Sequence, residues 1–205
     1  MILLFKKKGF LRFLSAIETA NLITRTLIRS GLKLQYSEGF HPKPKISFLD
    51  STPTGVIDLA LYVSVQLDAE KTSHEIKKAQ ILKSVNEVSP FGLELADVFD
   101  VEVNLNRVVD EYEYLVFSKE EINLKKEFKK HSGKVFIPSE LLRDFHIVLR
   151  NGIYVLKYRI AKDNIFNPYL LNGVFLVTRK RAFAKELDLH NLLNDLEENR
   201  WRDDL

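Results

Sequence analysis

Ser15 and Glu18 form an S-x-x-E pair at the head of an apolar set, Ile17, Ala20, Ile23, Leu27 and Ile28, that recurs at helical spacing until Gly31. A serine at the N-cap satisfies a free backbone N–H, a glutamate three residues on reaches back to the cap, and a glycine accepts the left-handed turn that ends a helix. The spacing predicts one amphipathic helix with both ends fixed, its outer face carrying Glu18, Asn21, Arg25 and Arg29. Ahead of it, ILLFKKK reads as a strand running into a basic turn at Lys6, Lys7, Lys8 and Gly9. Behind it, KISF and the alternating LALYVSVQL (59–67) read as two strands joined by STPTG. A second helix is expected over 72–88 on Ile76, Ala79, Ile81, Leu82 and Val85, and a fourth strand over 93–103. The order β-α-β-β-α-β is the split-βαβ pattern of ferredoxin-like domains. Short right-handed connections then put both helices on one face of a four-stranded antiparallel sheet and leave the other face free.

The polar run NLNRVVDE, 104–111, marks a boundary. Beyond it EYEYLVF reads as a strand, EINLKKEFKK as a short helix, and FHIVLR and IYVLKYRI as a hairpin around Asn151-Gly152. A short helix near Asn167, Pro168, Tyr169 and Leu170 leads to VFLVTRKRAF, another strand, and Leu187, Leu189, Leu192, Leu193 and Leu196 fall on an amphipathic tail helix. The fold class expected is α+β: two ferredoxin-like units in tandem, over 1–104 and 111–184, the second smaller or variant, with a helical tail over 185–205.

The chain of 205 residues holds no cysteine, which removes disulfides, thiolate metal sites, cysteine nucleophiles and Cys-held iron–sulfur clusters. No apolar run reaches the length of a membrane span, and MILLFKKKGF carries its charges after its apolar residues, the reverse of a signal peptide; the expectation is a cytoplasmic protein that makes no use of a membrane. His74, His131, His146 and His190 show no metal-ligand spacing, and there is no phosphate-binding glycine loop or nucleophile elbow, so no cofactor is expected on this chain. The net charge of +3 hides an asymmetry. Residues 1–50 hold nine Lys/Arg against three Asp/Glu, and 51–110 hold five against ten. A basic first quarter suggests a phosphate-bearing or otherwise acidic partner.

YSEGFHPKPKISF, 36–48, sharpens that suggestion. Gly39 permits positive φ, and Pro42 and Pro44 stiffen the backbone, so the loop is expected to splay Tyr36, Phe40, His41, Lys43 and Lys45 outward. Flat side chains stack on unpaired bases and lysines meet phosphates, the combination that single-stranded RNA requires. Lys7, Lys8, Arg12, Arg25 and Arg29 extend the basic set, with Arg179 and Arg181 continuing it across the two units. Trp201 between Arg200 and Arg202 is a further candidate partner contact.

The runs GFLRFLS (9–15), YSEGFHPKPKISF and PTG (53–55), with VFLVTRKRAF near the end, resemble the radical SAM-linked protein family, bacterial proteins encoded beside a radical SAM enzyme or fused to it. That family carries His after R-F-L-S, where this chain has Ala16, and often Asn before the first Pro, where this chain has His41. The resemblance implies a radical SAM enzyme as protein partner. The leading expectation is a non-catalytic RNA-binding accessory protein, serving tRNA or rRNA modification. Two rivals stand beside it: a metal-free endoribonuclease of the CRISPR repeat-processing type, with His41 as general acid–base, and a protein scaffold without RNA affinity.

Overall fold

The computed structural model describes residues 1–68, 78–129, 133 and 135–203, the last four by backbone alone. β1 (Ile2–Lys7) passes through a 3-10 turn (Gly9–Phe13) into α1 (Ala16–Arg29), followed by β2 (Ile46–Phe48), β3 (Ile57–Val65), α2 (Lys78–Val88) and β4 (Leu93–Phe99). The one-turn helix α3 (Leu105–Val108) leads to β5 (Glu111–Ser118), the short pair β6 (Phe128–Lys129) and β7 (Val135–Phe136), and α4 (Pro138–Leu141). The hairpin β8 (Leu142–Arg150) and β9 (Ile153–Ala161), then β10 (Val174–Ala184), β11 (Leu187–Asp188) and α5 (Leu189–Asp203) complete the chain. Among the described residues no helix is long and apolar enough to cross a membrane.

Among the described residues nine strands make one sheet in the order β4-β1-β3-β10-β5-β9-β8, with β2 beside β3 and β11 beside β10. All the pairings are antiparallel except β3 with β10. β3 changes partner along its length: its 63–65 end faces β2, while Ile57 and Asp58 run parallel to Thr178 and Arg179 of β10. The fold is therefore mixed α+β around one large, mostly antiparallel sheet, with a C-terminal helix. The two halves share that sheet.

Strand alternation sorts the core. Leu3, Phe5, Val63 and Leu95 pack with Ile23 and Leu27 of α1 and Ile81 and Val85 of α2. Ile2, Leu4, Ala60, Tyr62 and Phe99, pointing the other way, join a second cluster with Leu105, Tyr112, Val177, Leu189 and Leu193. The sheet face expected to be free is thus covered by the C-terminal half and α5. Four consecutive apolar residues in ILLF are the mark of a strand buried on both sides, which explains the difference.

Three local expectations also change. Within EINLKKEFKK, residues 121–129 form a turn and β6 in place of a helix: Ile122 and Leu124 are buried while Glu121, Asn123 and Lys125 are exposed, a two-residue period that suits extended chain. Leu187 sits exposed in β11 rather than on the tail helix, which starts at Leu189. The strand expected over 93–103 ends at Phe99. α2 is described from Lys78, and the earlier part of the expected 72–88 helix lies outside the described residues. At the β8–β9 turn Asn151 and Gly152 both take positive φ, 49° and 76°, as a two-residue hairpin loop requires.

Candidate functional site

The 36–48 stretch forms a short arm. Tyr36 bridges to Pro44, Ser37 N–H donates to Lys43 O at 2.8 Å, Lys45 N–H donates to Gln35 O at 2.8 Å, and Gln35 N–H donates to Gln66 O at 2.8 Å. The Ser37 hydroxyl accepts from Lys43 N–H at 3.0 Å, and Gly39 turns the tip at φ 119°. The backbone is thus braced against itself and against the end of β3. The side chains are left to solvent: Phe40 is fully exposed, and Tyr36, His41, Lys43 and Lys45 are exposed with it. Among the described residues no hydrogen bond or ion pair holds the His41, Lys43 or Lys45 side chains.

A second exposed aromatic group lies at the 3-10 turn. Lys8 N–H donates to Gly92 O at 2.7 Å, which sets the Phe91–Gly92 turn beside the start of Gly9–Phe13; Phe10 and Phe91 are almost wholly exposed and Phe13 is half exposed. A side chain at Gly92 would meet Lys8 O at 2.7 Å, so this close approach requires glycine. The Arg12 guanidinium lies 4.7 Å from the Phe13 ring centre, and Arg12 O accepts from Gly55 N–H at 2.8 Å, tying R-F-L-S to P-T-G. Phe10, Phe13 and Phe91 were not singled out from sequence, where a Phe in a short loop reads equally well as core.

The other basic candidates separate. Arg25 is exposed on α1, and Arg29 caps the end of α2 by donating to Val88 O at 3.1 Å. Lys8 pairs with Glu94 at 2.8 Å. Arg181 is exposed but lies 3.5 Å from Asp188 and 3.9 Å from Glu113. Arg179 is fully buried: Nε and Nη2 donate to the two Asp58 oxygens at 2.9 and 2.6 Å, Nη1 donates to Asp50 O at 2.6 Å, and the Tyr112 ring lies beneath it at 4.7 Å. Burial opposes the guanidinium's charge, but Asp58 together with Tyr114 and Tyr112 more than offsets it, raising the pKa above its ordinary value. Arg179 therefore fastens β10 to β3 instead of lining a basic groove. A shift of register between Arg179 and Arg181 turns Lys180 and Arg181 outward and Arg179 inward.

Lys7 is also buried, at 2% exposure, under the first turns of α1. Its Nζ donates to Thr19 Oγ1 at 3.3 Å, and burial pushes its pKa below the ordinary lysine value, with Asp58 pulling back and Arg179 adding to the fall. It borders a cavity of about 260 Å³ together with Thr19, Thr52 and Asp58. His190 is part of the packing of α5: its Nε2 lies 2.9 Å from Asp97 Oδ2 and its Nδ1 3.1 Å from Asn194 Nδ2. His74, His131 and the side chain of Trp201 lie outside the described residues, and among those described no group of three His, Asp or Glu side chains is placed to hold a metal.

Comparison with protein families matches residues 1–200 to one described as an uncharacterised protein conserved in bacteria (DUF2344). The chain belongs to this family. The match takes in the braced arm, the 3-10 turn, the Lys7 cavity and the β3–β10 junction alike, so the whole nine-stranded sheet lies within the family's span. Comparison with curated proteins found no match.

Proposed function

We propose that this protein is a non-catalytic RNA-binding subunit that presents its RNA through the 36–45 arm. The observation that supports this reading is the combination of a hydrogen-bonded backbone with a fully exposed Phe40, flanked by Tyr36, His41, Lys43 and Lys45. An exposed ring on a rigid support stacks a base with little ordering cost, and each such stack is worth about 1–3 kcal/mol. Lysines beside it meet the phosphates, and Arg25 and Lys6 on the same basic first quarter supply further positive charge. Burial of the sheet's second face moves the reading from a sheet platform to the arm. The working partner, taken from the resemblance, is a radical SAM enzyme that supplies the chemistry while this chain holds a tRNA or rRNA. We read the N-terminal half as ferredoxin-like, on its β4-β1-β3-β2 neighbour order.

The test is a salt titration of binding to total small RNA from the source cells, with the bound species sequenced. Affinity falling steeply with salt is expected. Phe40→Ala should weaken binding about fivefold or more. Lys43→Glu with Lys45→Glu should weaken it further and flatten the salt dependence, each lost phosphate contact lowering the slope by about 0.7 for a single strand. Unchanged affinity in these variants would overturn the arm as the interface. Chelator-resistant RNA cleavage abolished by His41→Ala would make the protein a nuclease, and capture of the radical SAM enzyme without RNA affinity would make it a scaffold.

A further inference from the structure

The Lys7 cavity has a chemistry of its own. It opens between the first turns of α1, the start of β3 and the 48–52 segment, and its volume of about 260 Å³ is far more than one water needs. Its walls are mostly apolar, Ile17, Ala20, Phe48 and Leu61 among them. Its polar groups are few: Lys7, Asp58 and the hydroxyls of Thr19, Ser51 and Thr52.

Charge is out of balance at this spot. Asp58 is the carboxylate whose charge attracts Lys7, yet both its oxygens are engaged by Arg179 at 2.9 and 2.6 Å, and Oδ1 also accepts from Ala60 N–H at 3.1 Å. Asp50 turns its carboxylate to the Tyr112 hydroxyl at 2.7 Å. The ammonium of Lys7 has three N–H donors and a single described acceptor, the neutral Thr19 hydroxyl at 3.3 Å. A lysine normally extends its head to water past an apolar stem, but Lys7 is held inward by the strand alternation that also buries Leu3 and Phe5. A cation so placed is costly unless an anion meets it.

We propose that the cavity is a binding site for a small organic monoanion, an apolar body ending in a carboxylate, whose oxygens accept from Lys7 while its body lies against Ile17, Phe48 and Leu61. A phosphate dianion fits less well, because one ammonium and three hydroxyls supply few donors and the walls are apolar. The site borders the end of the 36–48 stretch at Phe48 but includes none of the 36–45 residues proposed to touch RNA, and its ligand is a small molecule.

The probes are hexanoate, 1-hexanol and inorganic phosphate, titrated by calorimetry into the full chain and into Lys7→Met. Hexanoate should bind the natural chain saturably and lose about tenfold or more in Lys7→Met, the worth of a charge-assisted hydrogen bond, while 1-hexanol binds both chains alike. Affinity should rise from butyrate to hexanoate as more apolar surface is buried. No saturable hexanoate binding, equal hexanoate affinity in the two chains, or phosphate bound in preference would each overturn the proposal. Thermal unfolding confirms that Lys7→Met is folded. As a second variant, Ala20→Leu fills the cavity and keeps the lysine, and unchanged hexanoate affinity there would also count against the site. RNA affinity is measured on the same samples, so that failure of this site and failure of the arm are told apart.

Discussion

Arg179 and Lys7 are two buried cations that share one carboxylate, and the sharing is unequal. Arg179 takes both oxygens of Asp58; Lys7 receives only its field. Removing one member of a buried pair strands the other, so Asp58→Asn should destabilise the protein by about 3–5 kcal/mol, while Asp58→Leu with Arg179→Met should recover most of the loss, as measured by urea unfolding. Lys7 has the opposite sign. Its folded-state pKa lies below the ordinary 10.5, so between that lowered value and 10.5 the unfolded chain binds more protons and stability rises with pH. Lys7→Met should therefore be at least as stable as the natural chain near neutrality, with the natural chain gaining on it as pH approaches 10.5; a constant difference across that range would contradict a buried, unpaired ammonium. Of the two, only Lys7 was within reach of sequence reasoning. It lies two residues beyond Phe5 on an alternating strand and so belongs inside, whereas Arg179 is turned inward by a break in register that R-K-R does not announce.

The elements that could be read from sequence are those whose ends carry their own chemistry. Ser15 Oγ accepts from Glu18 N–H at 3.3 Å and Glu18 Oε2 accepts from Ser15 N–H at 2.8 Å, the reciprocal pair expected of the S-x-x-E spacing. Ser15→Ala should cost about 1 kcal/mol by urea unfolding. The hydrogen bonds from the Ser15 backbone and side chain hold the Glu18 carboxyl below its usual pKa of 4.5, so the box's contribution is complete above that value and fades as pH falls through the lowered one. An acid titration should show Ser15→Ala and the natural chain converging in stability toward low pH. The Asn151-Gly152 hairpin was legible for the same local reason. The 121–130 segment was not, because Ile122 and Leu124 are fixed by the distant Phe136 and Phe166 cluster, and its lysine-rich composition favours a helix only in isolation.

At the scale of the molecule, order along the chain was legible but the joining of the halves was not, since it depends on contacts far apart in sequence. β10 lies between β3 and β5, and Arg179, Tyr112 and Asp58 come from three different strands to make the junction. The second core draws on Ile2, Leu4 and Tyr62 from one half and Val177, Leu189 and Leu193 from the other. Each half, taken alone, would expose the apolar residues it now shares, and an exposed patch of that kind drives association. The full chain should accordingly unfold in one transition, with β4 and β9 amides losing hydrogen-exchange protection at the same denaturant concentration. A fragment ending at Asn104 should bind a hydrophobic dye and self-associate, because Ile2, Leu4, Tyr62 and Phe99 lose their cover. Two separate transitions, or a monomeric and protected 1–104 fragment, would mean that the shared sheet joins two units that are each stable without the other.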